Sequence, residues 1–172
     1  PACYGQGGDF PTLSDANLVL GLIAPDTFLG GRLALNRDLA AKAVETHIAK
    51  PLGLSVEDAA YAIHALASAR IAEGIRANTV RRGLDPRDFT IFSFGGAGGL
   101  HAAAVAAELE IPRAVIPREA SVLSAVGFLA ADVRHDYQRV VGHRLPELTN
   151  ALLRNQYDEL EAEASAALGT EG

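Results

Sequence analysis

Four of the five residues from 95 to 99 are glycine, and this segment is the part of the sequence best suited to chemistry. It follows an apolar run over residues 89–94 and precedes an alanine-rich stretch over residues 100–109, which predict a strand and a helix. A strand that ends in glycines just before a helix brings unsubstituted backbone next to the positive end of that helix. Such a junction can approach a nucleotide closely, because no Cβ atoms stand in the way. The alternative is a tight strand-to-helix turn in which the glycines serve packing, and spacing alone does not separate the two.

The glycine motif differs from the two best-known nucleotide loops. The dinucleotide fingerprint would need Gly96, Gly98 and a third glycine at position 101, which is His101. The Walker loop needs a lysine, and no lysine lies nearby. His101 falls in the first turn of the predicted helix, where the dipole disfavours a cationic ring, so we expect a neutral ring that donates one hydrogen bond. It is a candidate contact for a ribose or phosphate, with capping of a neighbouring backbone group as the alternative.

Other candidates are charged or reactive side chains, each with a structural alternative. Asp15 is the candidate catalytic residue, because it could hold a metal ion or polarise a water, or it could simply be the acidic partner of a helix dipole. Arg70, Glu73 and Arg76 are three apart and could face an adenine and ribose, or form a solvated ionic ladder. Cys3 has no histidine in its local sequence to activate it, so a buried inert thiol is expected. The histidines show no metal-ligand spacing, so no metal site is expected in this chain.

Hydrophobic periodicity and breaker residues predict a helix-rich α/β chain with a small parallel or mixed sheet. Ser14 and Ser55 are the expected N-caps of the first and third helices, and Pro51 is expected to close the second. The strand–helix–strand unit around the glycines predicts a crossover, with its first strand buried on both faces. The third helix is expected to bury one stripe: Val56, Ala59, Ile63, Leu66, Ala67 and Ile71. The predicted helices span residues 15–22, 38–50, 56–82, 100–109, 123–130 and 146–168, and the predicted strands span residues 89–94, 113–116 and 132–141.

Composition limits the class of protein. The 172 residues predict one domain, or one domain and a small piece. The net charge of −6 argues against a general nucleic-acid or membrane-surface role. The single cysteine favours a reducing compartment, so we expect a cytoplasmic location. The first residue is Pro1 rather than Met, so we expect a fragment of a longer polypeptide, with a processed subunit as the alternative.

Seven sequence blocks between Cys3 and Tyr137 together resemble the hydantoinase A/oxoprolinase family. In chain order they read CYGQGG, PTLSDANLVLG, FLGG, PLGLSVEDAA, RGLDPRDF, FGGAGGLHA and LAADVRHDY. The resemblance implies an actin-like ATPase fold, in which two RNase-H-like lobes clamp ATP. Residues 1–143 would form part of the second lobe, and residues 144–172 a C-terminal amphipathic helix. The N-terminal lobe would precede Pro1.

The resemblance also implies a site and a reaction. Arg70 and Glu73 would pack near the nucleotide, and the residues that contact it would be Gly95, Gly96, Ala97, Gly98, Gly99 and His101. The implied reaction is the ATP-dependent hydrolytic opening of a cyclic amide, such as a hydantoin or 5-oxoproline, in which ATP phosphorylates the amide oxygen and Mg²⁺ neutralises the phosphates. A hydantoinase B-type subunit would be the partner. The chain alone, without the missing lobe, is not expected to turn over ATP.

Two other functions stay open at this point. The acetone and acetophenone carboxylases, a sister branch, would use the same activation on a ketone enolate with bicarbonate. A non-catalytic assembly module that needs its missing lobe is the third reading. Two departures from the family pattern also bear on the site: Gly99 replaces a proline, which makes the loop more mobile, and Ala120-Ser121 replace Pro-Gly.

Overall fold

A computed structural model describes residues 1–132 and 134–169 of the chain. Two compact units are present, Pro1–Val126 and Gly127–Gly172. The helix-rich α/β class with a small parallel sheet is confirmed. The sequence-based domain boundary after residue 143 stays a prediction. The elements are α1 (Leu13–Val19), α2 (Arg37–Val44), α3 (Lys50–Leu52), α4 (Val56–Thr79), β1 (Ile91–Phe92), α5 (Gly98–Glu108), β2 (Ala114–Val115), α6 (Leu123–Ala130) and α7 (Asn150–Leu168).

The first core of the larger unit lies between α1, α2 and α4. Leu18 of α1 and Val44 of α2 are its largest fully buried aliphatic side chains. Ala59 and Ala60 of α4 are also fully buried in the same cluster. Because alanine has a small side chain, these positions let the helix axes approach one another closely. The helices of this core hold the segment that contains Asp15 and Cys3.

The second core lies between α4, α5 and β1. Ala72 of α4 packs with Val105 of α5, with Leu109 just after that helix and with Ile91 of β1. Strands β1 and β2 are parallel, with Ile91 opposite Ala114, so the predicted crossover through α5 is confirmed. Burial of the first strand on both faces was a wrong expectation, because pairing stops after two residues and Phe92 is 54% exposed. A two-stranded sheet leaves most of that side chain uncovered.

The helix boundaries differ from the sequence prediction where local chemistry intervenes. Thr12 rather than Ser14 precedes the first turn of α1. Helical structure continues through Pro51 to Leu52 and stops at Gly53. The π-helical turn Glu45–Ala49 lies just before the proline and explains this. In an α-helix a proline ring clashes with the carbonyl group four residues earlier, and the wider π-helical turn changes that spacing. The predicted Ser55 cap is confirmed, since its side chain accepts a hydrogen bond from the Asp58 N–H.

The buried stripe of α4 has a different phase from the predicted one. The fully or largely buried side chains are Ala59, Ala60, His64, Ser68 and Ala72. Leu66 is 63% exposed and Ile71 is 42% exposed, so both were wrongly placed in the core. The buried face of α4 is formed by small and polar residues at four-residue spacing, and a search for apolar periodicity alone does not find it.

In the smaller unit, α7 begins after Thr149, whose hydroxyl accepts a hydrogen bond from the Leu152 N–H. The guanidinium of Arg139 binds the carboxylates of Glu159 and Glu163 on α7. The strand predicted over residues 132–141 is wrong for residues 132 and 134–141, which form no strand, and Val133 lies outside the described residues. No helix in the described part of the chain is long and apolar enough to cross a membrane.

Candidate functional site

Residues 95–99 follow β1 and are called the glycine loop below, and the last two of them, Gly98 and Gly99, begin α5. Gly95 has a φ of +95°, a conformation that favours glycine, and its N–H donates to the Ala120 carbonyl at 2.7 Å. A Cβ atom added at Gly95 or at Gly96 would have no other atom within 4 Å. The backbone at these two positions therefore borders open space, as the close approach of a ligand requires.

The other two glycines of the loop serve packing. A Cβ atom at Gly98 would lie 2.8 Å from the Ser93 hydroxyl oxygen, and one at Gly99 would lie 3.4 Å from Ile116 Cδ1. The start of α5 can thus sit close to the segments that contain the strands. The packing interpretation made from the sequence applies to Gly98 and Gly99, and the nucleotide role of Gly95 and Gly96 stays a prediction.

A cavity of about 210 Å³ lies beside the start of α5. Its walls come from α4, β1 and α5, and they include Ile71, Ile75 and Phe92 as well as Gly98 and His101. Its lining is mostly apolar with few polar groups, as in small-molecule sites, and its volume is below the roughly 300–1,000 Å³ of most such sites. Of the glycine loop only Gly98 lines the cavity, so the cavity adjoins the open backbone at Gly95 and Gly96 without including it.

His101 lies in the first turn of α5 and is 3% exposed. Its Nδ1 lies 2.9 Å from the Ser68 hydroxyl oxygen, and its buried Nε2 has no hydrogen-bond partner among the described residues. Burial, and next the neighbouring His64, lower the pKa of His101 from its ordinary value. The geometry supports the expected neutral ring with one hydrogen bond, and the partner is a side chain of α4.

His64 and Ser68 are site residues that the sequence analysis missed. The ring of His64 stacks on that of His101 with 4.5 Å between centroids, and its Nδ1 lies 2.8 Å from Asn17 Oδ1. All of these side chains are buried. Their signal in the sequence was the four-residue spacing of His64 and Ser68 within a row of alanines, on the face of α4 that meets α1 and α5.

Arg70 and Glu73 lie on the exposed side of α4. Arg70 Nη1 is 3.4 Å from Glu73 Oε2, and the two side chains are 76% and 69% exposed. Arg76 pairs with Glu108 of α5 at 3.0 Å instead of extending the pair. This geometry supports solvated ion pairing, and the nucleotide role of Arg70 and Glu73 stays a prediction.

Asp15 is fully buried at the start of α1, apart from the glycine loop. Its carboxylate accepts hydrogen bonds from the N–H groups of Ala2, Cys3 and Thr12 and from the Thr12 hydroxyl. Desolvation raises its pKa, but the hydrogen bonds from Thr12 and Cys3 outweigh that effect and lower the pKa from 3.8. The carboxylate thus fastens the N-terminal segment to α1, which favours the structural alternative, and its catalytic role stays a prediction.

Cys3 is fully buried beside this carboxylate. Burial first, and then the hydrogen bond and charge of Asp15, raise the pKa of the Cys3 thiol to about 12. A thiol with such a pKa carries almost no thiolate at neutral pH, which agrees with the expected inert cysteine. Within residues 1–132 and 134–169, no group of three or more His, Cys, Asp and Glu side chains could hold a metal ion.

Comparisons with known proteins agree with this arrangement. A family model described as hydantoinase/oxoprolinase matches residues 1–137. The caprolactamase alpha subunit of Pseudomonas jessenii is 44% identical over 86% of this chain and 21% of its own length. The acetophenone carboxylase gamma subunit of Aromatoleum aromaticum is 42% identical over 81% of this chain and 19% of its own length. A nucleotide-free structure of an acetone carboxylase superposes on 94% of this chain and 24% of its own, with a TM-score of 0.80 and 33% identity.

The chain spans about a fifth of the length of these two curated relatives, 21% and 19%. The family match covers well over half of the chain, and it includes the glycine loop and the helices that surround His101. The resemblance seen in the sequence is confirmed, and the chain belongs to the hydantoinase/oxoprolinase family.

Proposed function

We propose that this chain is the nucleotide-contacting part of a larger ATP-dependent enzyme that opens a cyclic amide. The observation that carries the proposal is the open backbone at Gly95 and Gly96, in a chain 44% identical to a caprolactamase subunit. A nucleotide approaches a bare backbone more closely than a substituted one. The actin-like ATPase fold of the whole enzyme, with a preceding N-terminal lobe, is part of the same proposal.

ATP fits the residues present. Gly95, Gly96 and Ala97 would offer backbone to the nucleotide, and the apolar cavity beside α5 would accept the flat face of a base. Gly98 and Gly99 would keep α5 close enough to its neighbouring strands to hold the loop in place. When bound, ATP would supply the phosphoryl group that activates an amide oxygen.

The residues of this chain support binding of Mg²⁺ less than binding of ATP. The described residues contain no group of three or more His, Cys, Asp and Glu side chains that could hold the ion. The predicted Mg²⁺ would be held by the nucleotide phosphates and by other parts of the enzyme. No residue of this chain is assigned to it.

A partner subunit of the hydantoinase B type belongs to the proposal. The names of the relatives, an alpha and a gamma subunit, support an assembly of several chains. Exposed apolar side chains such as Tyr61 and Leu66, each 63% exposed, provide apolar surface that further protein could cover. The same surface is the observation behind the third reading, an assembly module without catalysis.

Carboxylation of a ketone is the second candidate function. The acetophenone carboxylase gamma subunit, 42% identical to this chain, supports it about as closely as the caprolactamase subunit, at 44%, supports the amide reaction. Both reactions would use the same nucleotide site. They differ in the group that is activated and in the need for bicarbonate.

The experiment that tests the proposal uses the full-length protein that contains this chain, together with its partner subunit. Phosphate release is measured with caprolactam, a hydantoin or 5-oxoproline, and separately with acetone or acetophenone plus bicarbonate. We expect phosphate release that depends on the cyclic amide. Ketone consumption that requires bicarbonate, with no stimulation by any lactam, would instead establish the carboxylase. Binding of ATP without either activity would favour the assembly module.

A further inference from the structure

The positions of two protons follow from the contacts around Ser68. The Ser68 hydroxyl lies 3.0 Å from the His64 carbonyl oxygen, which can only accept, so the hydroxyl proton is donated there. The same oxygen must then accept the second bond, at 2.9 Å, from His101 Nδ1–H. Asn17 Oδ1 is likewise an acceptor, so His64 also carries a proton on Nδ1. With these partners, both rings carry their proton on Nδ1.

The ring of His101 is held in its neutral form by the same surroundings. A second proton would sit on Nε2, which is buried and has no hydrogen-bond partner among the described residues. An unpaired buried charge is strongly unfavourable. A charge on His64 would lie across a centroid distance of 4.5 Å, which adds repulsion. Among the described residues, the polar side chains bonded to the two rings are Asn17 from α1 and Ser68 from α4, and both are uncharged.

We propose that His64 is a positioning residue for the glycine loop. By stacking on His101 it keeps that ring on Ser68, and this contact fixes the first turn of α5, from which the loop extends. The role of the loop toward ATP rests on the proposed function, whereas the positioning of the loop is a property of this chain alone. A side chain on α4 thereby controls the geometry of a backbone that it does not touch.

One consequence is a dependence of stability on pH. Burial lowers the pKa of His101 in the folded state from its ordinary value of 6.5. The neutral ring therefore makes its full contribution to stability above pH 6.5, and the folded state loses that contribution as the pH falls through the lowered pKa. Urea unfolding of the chain is expected to show a midpoint that falls between pH 7.5 and pH 5. His101→Phe, which cannot be protonated, is expected to reduce that fall. An equal fall in both proteins would contradict the neutral, buried ring.

The decisive variants are His64→Leu and His64→Phe. Both lose the hydrogen bond to Asn17, but only phenylalanine keeps a ring that can stack on His101. The amide resonances of the loop glycines are recorded by NMR in the 172-residue chain, and ¹⁵N spectra of the histidines report the tautomer of His101. We expect displaced glycine signals with leucine and signals near those of the wild type with phenylalanine. Thr79→Val, fifteen residues further along α4, is the control and should leave them unchanged.

A solely structural role for His64 predicts equal displacement in the two variants, and that result would overturn the proposal. An Nε2–H tautomer or a charged ring at pH 7 in the wild type would overturn it as well, even if the leucine variant fails to fold. In the full-length protein, we expect ATP binding to weaken about tenfold with His64→Leu and by less than about twofold with His64→Phe. A wild-type full-length protein that binds no ATP would reject the proposed function, while the NMR results would still decide the role of His64.

Discussion

Replacing Asp15 by asparagine tests whether its carboxylate serves structure or chemistry. Oδ2 accepts three hydrogen bonds, from Ala2 N at 3.2 Å, Thr12 N at 2.8 Å and Thr12 Oγ1 at 2.7 Å, and Oδ1 accepts one from Cys3 N at 2.7 Å. Asparagine keeps a single acceptor oxygen. Its NH₂ group would face a buried N–H donor, most directly that of Cys3 if the oxygen takes the place of Oδ2.

The expected loss of stability follows from these bonds. An unsatisfied buried N–H group costs about 1–3 kcal/mol, and hydrogen bonds to a charged acceptor are roughly twice as strong as those to a neutral one. Together these effects predict that Asp15→Asn lowers the free energy of unfolding by about 3 kcal/mol. Asp58→Asn is the matched control, because Asp58 holds the same third position of α4 and bonds the Ser55 hydroxyl on an exposed surface. We expect it to lose less than about 1 kcal/mol.

Urea denaturation of the 172-residue chain measures both variants. Because the pKa of Asp15 is lowered in the folded state, the carboxylate contributes to stability above pH 3.8, and this contribution disappears as the pH falls through the lowered pKa. The difference in the free energy of unfolding between the variant and the wild type should therefore shrink in acid. Equal losses in the two variants would refute the structural reasoning. Unchanged stability together with lost activity of the full-length enzyme would return Asp15 to the catalytic role.

Two further predictions concern the same chain. The thiol of Cys3, fully buried with a pKa raised to about 12, should react with iodoacetamide at pH 8 only after denaturant is added, and fast reaction of the folded protein would contradict its burial. Gly74→Ala, inside α4 with open space for a Cβ, should raise the free energy of unfolding by about 0.5–1 kcal/mol. Gly53→Ala, at a φ of +65°, should lower it by about 1 kcal/mol, and a shift of the same sign in both would contradict the assigned backbone conformations.

The sequence was sufficient for the features that depend on local signals. The Ser55 cap and the crossover through α5 were predicted from such signals, as was the end of the third helix at residue 82, just before Gly83 with its φ of +74°. The family was evident from the order of its sequence blocks. The glycine loop was correctly placed between a strand and a helix.

Features that depend on distant neighbours were predicted less well. The contact between His64 and His101 joins positions 37 apart in the chain and depends on the phase with which α4 meets α5. Apolar periodicity assigned that face to Leu66 and Ile71, which are exposed. The strand β1 was predicted too long, because an apolar run shows the tendency to pair but cannot show where a neighbouring strand ends.

The affinity of the full-length protein for ATP, compared between the wild type and Gly96→Val, tests the central claim most directly. A valine at Gly96 meets no other atom of the chain within 4 Å of its Cβ, so folding should be nearly unaffected. It would occupy the space that the nucleotide needs, and we expect affinity to fall at least about tenfold, or about 1.4 kcal/mol. Gly74→Ala, also in open space but within α4, should leave the affinity unchanged. An affinity for ATP equal to that of the wild type in a folded Gly96→Val protein would contradict the assignment of the glycine loop as the nucleotide contact.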